Sequence, residues 1–331
     1  MTVALGNNIA LPLSSALSYR LAFDTMGKLA NYGKLGGTAD PDAVIEALFA
    51  SGEQGAWYDP SDLSTMYLDR AGTTQVTADG QPVGLILDKS KGLVLGSELA
   101  SNGDFASGTS PWTSDAGITL SNVSSQLVQT ASSGGWLKAW NRVSGVTSGK
   151  TYKIEIDVSG GSLTTSRYLN VGTNAGGYNI FQLAIANDFT GKITCYAVAQ
   201  ANYFDIGTEC FFSIGNTVIL DNFSIKELAG NHATAPSDAA RPLKTSTTAA
   251  DWINYDAVDD VLNSTFPSSL GSSCTVCRAN VGAAPTILTA QTIGTSYADS
   301  TDHAGLIIVN RALTGQETTD VTAWLLAKGE T

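Results

Sequence analysis

The sequence predicts a mainly β protein: two sandwich-type units, with one short helix near the start and one at the end. Three observations lead there. Charged residues make up 15% of the chain, against about 25% in an average soluble domain. Glycine-, serine- and threonine-rich stretches alternate with apolar runs only a few residues long, the spacing of strands and turns. A strand-rich block with its own beginning and end also lies between two stretches that read as halves of one unit. The 331 residues leave room for two or three cores.

In chain order, residues 1–53 are apolar and turn-rich until "TADPDAVIEALFASG". There Asp40 can cap a helix, Pro41 suits its first position, and Gly52 stands just past its end. Val44, Ile45, Leu48 and Phe49 then share a face. One short amphipathic helix cannot bury itself, so the segment is expected to pack on the rest of the chain or on another subunit, as a docking arm. From Trp57 to Gly92, short strands alternate with the turn clusters "DPSD", "RAGTT" and "ADGQP", then stop without closing a sheet. A new unit opens at "ELASNGDF" and ends at "NTVILDNFSIKEL". Inside it, Tyr152, Ile154, Ile156 and Val158 point one way in strict period two. After residue 228 come four strand segments, "DWINYDAVDDVLNSTF", "SCTVCRANV", "PTILTAQTIG" and "HAGLIIVNRAL". The last element is a helix: Thr314 and Glu317 have capping-box spacing, Val321, Trp324 and Leu325 form a stripe, and Gly329 follows the last turn.

Composition excludes several functions. With 18 Lys and Arg against 30 Asp and Glu, the formal charge is −12, which repels phosphate backbones and anionic membranes. No apolar run approaches the roughly 20 residues that span a bilayer, and "MTVALGNNIALPLSSALSYR" lacks a basic region followed by an apolar core, so no secretory segment is expected. Cys274 and Cys277 have C-x-x-C spacing. The two histidines, His232 and His303, supply no second ligand pair for zinc, and the reading is two strand cysteines on opposite sides of a pleat.

Two resemblances cover most of the chain. "GEQGAWYDPSDLSTMYLDRAGTT", "GNHATAPSDAARP", "WINYDAVDDVL" and "LIIVNRALTGQETTDVTAWL" resemble, in order, segments of the laminin-G-like or concanavalin-like sandwich of phage virion proteins. "ELASNGDF…W", "VTSGKTYKIEIDV" and "VILDNFSIKEL" resemble the β-jelly-roll carbohydrate-binding modules. Joining residue 92 to residue 229 restores the uninterrupted reading of the phage sandwich. The expected domains are therefore residues 1–53 as docking arm and helix, 54–92 plus 229–331 as a discontinuous laminin-G-like sandwich, and 93–228 as an inserted jelly roll, since jelly-roll termini lie close enough for splicing into a surface loop. After "SCTVCRANV" the outer unit is shorter than a full concanavalin-like domain, so only a scaffold role carries over to it.

No enzyme is expected. Glycoside hydrolysis needs two carboxylates held about 5–10 Å apart and acyl transfer an activated nucleophile, and the sequence shows neither motif. Asp256, Asp259 and Asp260 read as a turn cap. Glycan binding has better support, because sugars stack on aromatic faces and take oriented hydrogen bonds from polar side chains. The candidate residues are Trp136, Trp140, Arg142, Tyr168, Asn170, Tyr178 and Gln182. The spacing in "GGWLKAWNRVSG" sets both tryptophans on one face of a strand, while packing in a core or subunit interface is the competing reading for each aromatic. Trp112 reads as core. The jelly-roll resemblance implies one cofactor candidate, a structural calcium ion held by Glu98 and Asp221. Calcium prefers about 6–8 oxygen ligands, and Asn222 stands where a second aspartate is frequent.

The resemblances together imply a phage virion structural protein, a spike, fibre or receptor-binding component. It would meet other virion proteins through residues 1–53, assemble as a homotrimer in the host cytoplasm, and present its jelly roll to host surface polysaccharide. The alternative is a capsid or tail decoration protein with no ligand, and a glycan depolymerase stands behind both.

Overall fold

The computed structural model describes residues 40–165 and 167–329; the expectation for the arm before residue 40 lies outside them. In the first of two units, residues 1–43, the Asp40 carboxylate accepts the Asp42 amide at 2.9 Å, the cap its sequence position predicts.

The second unit runs from Val44 to Thr331. Its flanking segments build a sandwich of two antiparallel sheets. One has the order Gly55–Tyr58, Gly305–Val309, Gly271–Ala279, Thr286–Ile293; the other runs Met66–Tyr67, Leu85–Ile86, Ala233–Thr234, Leu262–Thr265, Ser296–Asp299. The "LIIV" run is apolar throughout because its strand is covered on both faces. Leu306 and Ile308 join Tyr58, Met66 and Ile86 in the core between the sheets. Ile307 and Val309 face the other way, onto the helix Gly315–Gly329 and the segment carrying Ile45, Leu48 and Phe49. There Trp57 and Trp324 meet edge to face with centroids 6.0 Å apart. Burying one such side chain contributes about 1.5–3 kcal/mol.

Both helices differ in detail from the sequence reading. The first, Ala43–Ala47, is a single turn followed by tighter turns, and Val44 is 36% exposed while its three expected companions are buried. Those three are covered by this chain's own sheet and C-terminal helix. The second forms the expected capping box: Thr314 N donates to Glu317 Oε2 at 2.7 Å, and Glu317 N donates to Thr314 Oγ1 at 3.2 Å. It continues through Gly329 rather than ending before it. "DWINYDAVDDVLNSTF" is two strands, Asp251–Asn254 and Leu262–Thr265, because Asp256 accepts the amides of Val258, Asp259 and Asp260 and turns the chain between them. Cys274 and Cys277 lie in the two different apolar clusters on either side of their strand, so the C-x-x-C spacing holds no metal.

Residues 95–228 form a second sandwich. One sheet has the order Phe181–Ile185, Arg167–Gly172, Tyr203–Phe212, Gly135–Ser144, Thr113–Ser114; the other runs Gly191–Val198, Thr151–Gly161, Thr217–Leu228, Gln126–Ala131, Ile118–Val123, with Leu95–Glu98 paired to the end of Thr217–Leu228. Tyr152, Ile154, Ile156 and Val158 are buried between the sheets, as their alternation predicts, with Phe204, Ile206, Leu169 and Val171 opposite. Trp112 packs on Phe105 and Phe223 in the same core.

The two sandwiches meet where the chain crosses twice. Ile86 pairs with Ala233, and Leu85 with Thr234, so the segment between leaves and re-enters the outer sheet on the adjacent strands of this ladder. Just beyond it, buried Asp88 accepts hydrogen bonds from the amides of Trp57 (2.8 Å), Ser90 (2.8 Å) and Asn231 (2.7 Å) and from the Ser90 hydroxyl (2.8 Å). The Asp88 amide donates to His232 Nδ1 at 2.8 Å. Outgoing and returning segments are thereby tied together.

Candidate functional site

The strand Gly135–Ser144 alternates strictly. Leu137, Ala139, Asn141 and Val143 point inward; Trp136, Lys138, Trp140 and Arg142 point outward. Its neighbour Tyr203–Phe212 places a partner opposite each outward residue: Phe211 by Trp136, Glu209 by Lys138, Gly207 by Trp140 and Asp205 by Arg142. The next strand adds Tyr168 beside Glu209 and Asn170 beside Gly207, and the edge strand sets Gln182 beside Asn170. Six of the seven sequence-predicted residues, all but Tyr178, therefore share one face of one sheet.

The aromatic part lies at one end. Trp136 is 52% exposed, with Tyr168 and Phe211 each 5.7 Å away between ring centroids. Tyr178 comes from the loop between the strands Arg167–Gly172 and Phe181–Ile185, and Lys138 Nζ stands 5.9 Å from its ring centroid. Trp136, Tyr168, Tyr178, Gln182 and Glu209 line a hollow of about 230 Å³. Its polar floor is ordered: Asn170 Nδ2 donates to Glu209 Oε2 at 2.8 Å, and Gln182 Nε2 donates to Asn170 Oδ1 at 3.0 Å.

Two of the residues lie deeper than the rest. Asn170 is fully buried because its Nδ2 also holds the Gly176 carbonyl of the covering loop at 3.0 Å. Its side chain thereby holds Glu209 and Gln182 in place. Trp140 is half-buried under the same loop. Gly176 has φ +59°, and a Cβ there would lie 3.0 Å from Lys138 Cδ and 3.3 Å from the Trp140 ring, so glycine favours the close approach of the loop. Gly207 serves the same fit from below: a Cβ on it would lie 2.3 Å from the Ala139 carbonyl and 2.7 Å from Trp140 Cβ.

Arg142 makes a two-point ion pair with Asp205, at 2.9 and 2.7 Å, and its guanidinium lies 4.3 Å from the Tyr203 ring centroid. The hydrogen bonds that Arg142 donates to Asp205 raise the arginine pKa above its ordinary value. Lys138 is paired as well, 3.6 Å from Glu209. The face thus offers donors and acceptors with each of these cations matched to a carboxylate. Phe211, Glu209, Asp205 and Gly207 escaped the sequence reading. The alternation of "YFDIGTECFF" was visible, but its register against "GWLKAWNRVS" was not.

The expected calcium site does not form. Strand register sets Glu98 opposite Lys226, not Asp221. The Glu98 carboxylate is taken by the amides of Ala100 (2.9 Å) and Ile225 (2.8 Å) and by the Ser224 hydroxyl (2.6 Å), and Asp221 accepts from the Asn222 amide at 2.8 Å. Among the described residues, the one acidic trio close enough to share an ion is Asp256, Asp259 and Asp260, in which Asp256 caps the turn described above and Asp260 accepts the Asp256 amide at 2.9 Å. Both histidines are buried: His232 in the junction, and His303 against Asp299 at 2.9 Å.

No family model and no curated protein matches the sequence. Solved structures similar to part of the chain are carbohydrate-binding modules. One is a family 4 module, 14% identical, which covers 38% of this chain and 98% of its own with a TM-score of 0.34. A second is the first family 22 xylan-binding domain of Xyn10C from Paenibacillus barcinonensis, 15% identical over 41% of this chain and 97% of its own, with a TM-score of 0.32. A third is TmCBM61 in complex with β-1,4-galactotriose, 13% identical over 39% and 97% with a TM-score of 0.30. Among the described residues, no helix is long and apolar enough to cross a membrane.

Proposed function

We propose that the protein binds an uncharged glycan on this face and that residues 93–228 are a binding module inserted into the flanking sandwich. The observation that carries the reading is the hollow lined by Trp136, Tyr168, Tyr178, Gln182 and Glu209, with Phe211 packed edge to face on Trp136 and with Gln182 and Glu209 held by Asn170. Aromatic faces take the C–H side of a sugar ring, and fixed amide and carboxylate groups take its hydroxyls. Pairing of Lys138 with Glu209 and Arg142 with Asp205 leaves neither cation uncompensated for a uronate or sulfate, which favours neutral sugars. The spacing of the carboxylates on this face supports binding without cleavage. Glu209 and Asp205 are four residues apart on one strand, about 13 Å along it, beyond the roughly 5–10 Å that glycoside hydrolysis requires.

The sequence resemblance of the outer segments extends this to a phage virion component, a spike, fibre or receptor-binding protein. In it, the outer sandwich is a platform, the N-terminal arm meets other virion proteins, three copies assemble, and the module faces host polysaccharide. Immunogold labelling of purified particles tests that placement, and label absent from particles rejects it. A neutral-glycan array tests the binding: Trp136→Ala is expected to lower affinity by about 1–3 kcal/mol with unchanged circular dichroism. Unaltered binding by a folded W136A protein would reject the site, and reducing ends released on incubation would reject binding without cleavage.

A further inference from the structure

Gln182 lies on an edge strand, and the hollow does not end there. On the far side of that strand a cleft of about 510 Å³ opens between the two sandwiches, and Gln182 lines both spaces. One wall carries Phe181, Leu183 and Gln200 of the inner sandwich; the other carries Arg70, Thr74 and Asp238 of the outer one. Beyond it the cleft shares Thr73 and Leu183 with a groove of about 220 Å³ that follows the edge strand. The hollow and the cleft thus lie on either side of Gln182, and the cleft and the groove on either side of Thr73 and Leu183. The hollow alone is smaller than the roughly 300–1,000 Å³ of ordinary ligand sites, whereas the cleft falls within that range and sits at a junction between folded units, where such sites concentrate.

The cleft walls are held together at fixed points. The Tyr196 amide donates to the Ala71 carbonyl at 2.7 Å, and the Tyr67 and Tyr196 hydroxyls are 3.0 Å apart. Tyr196 packs with Leu85, Leu87 and Leu228 in a small apolar cluster shared by the two sandwiches. The chemistry matches that of the hollow. Apolar Phe181 and Leu183 stand beside amide and hydroxyl groups, and the Arg70 guanidinium is matched to Asp238 at 3.8 Å while donating to the Pro236 carbonyl at 3.0 Å.

From these features we propose that the cleft is a second subsite for the same uncharged glycan chain, which runs from Trp136 over Gln182 and ends between Arg70 and Gln200. The inference rests on the glycan-binding reading above. It makes the outer sandwich part of the binding site and the recognised ligand an oligosaccharide longer than the hollow can hold.

Calorimetric titration of the full chain tests it, with linear β-1,4-linked glucose, xylose and galactose oligosaccharides of two to six residues as probes. Arg70 and Gln200 are exposed, so the double variant Arg70→Ala, Gln200→Ala keeps the fold. For a series that binds, affinity is expected to rise with length. The double variant should then weaken the hexasaccharide about tenfold, the effect of one or two lost hydrogen bonds, and leave the disaccharide unchanged, while W136A weakens both. A double variant that binds every length like the unaltered protein, while W136A is impaired, overturns the second subsite and leaves the hollow standing. Failure of the unaltered protein to bind any of the series, or full binding by W136A, overturns the glycan reading and the subsite with it.

Discussion

Removing the Asp88 carboxylate tests whether the double crossing between the sandwiches is the mechanical centre of the chain. Asp88 is fully buried and accepts four hydrogen bonds from Trp57, Ser90 and Asn231. Asp88→Ala leaves the buried amides of Trp57 and Asn231 without acceptors, and each orphaned donor costs about 1–3 kcal/mol. The expected loss is on the order of 2–6 kcal/mol, a large share of the roughly 5–15 kcal/mol that holds a typical domain together. Asp88→Asn keeps one carbonyl oxygen and should lose about half as much. The assay is urea unfolding followed at two places, by hydrogen exchange of backbone amides in the outer sandwich and in the inner one. The outer transition is expected to move to lower urea, and the inner one to move less. A D88A protein with unchanged outer stability would refute the argument that this carboxylate ties the outgoing and returning strands.

The other outcomes concern pH, packing and excision. Burial holds the His232 imidazole below its usual pKa, against the opposing pull of Asp88. Its contribution to stability is therefore complete above about pH 6.5 and lost as pH falls below that value, because the unfolded chain then binds a proton the folded one resists. His232→Gln should flatten that limb of a thermal-melt series. The Glu317 carboxyl is lowered to about 2 by Arg311, whose hydrogen bonds are the largest cause. This stabilisation is present above pH 4.5 and fades towards pH 2, and since the side chain is 27% exposed, Glu317→Gln should cost about 1 kcal/mol at neutral pH. Gly207→Ala would push a Cβ into the Ala139 carbonyl; it should weaken glycan binding more than a surface substitution does, and unchanged affinity would separate strand spacing from the site. Excising residues 93–228 and joining Gly92 to Ala229 should leave one cooperative unfolding transition, since the Ile86–Ala233 ladder stays paired and loop closure becomes easier; aggregation would count against the inserted arrangement.

Much of this was written locally. Alternation along "TYKIEIDV" fixed which side chains meet the core, and the Thr314–Glu317 spacing fixed a helix start, because both depend only on neighbours a few positions apart. The same alternation set Trp136, Trp140 and Arg142 on one face. What lay beyond reach depended on register between distant strands. Nothing in the sequence says that Phe211, Glu209 and Asp205 fall opposite those residues, that a loop closed by Gly176 buries Asn170, or that Glu98 falls opposite Lys226 and not Asp221. A one-residue slip in pairing reverses every side chain on a strand, and the pairing is decided by the packed core as a whole. The cleft between the sandwiches is further still from the sequence, since it exists only once two folded units are fastened at Asp88, Tyr196 and Ala71. Sequence alone determined the alternation from Tyr152 to Val158, the start of the last helix and one row of the candidate face; tertiary structure decided what stands opposite that row, because hydrogen-bond register and close packing are properties of the assembled sheets.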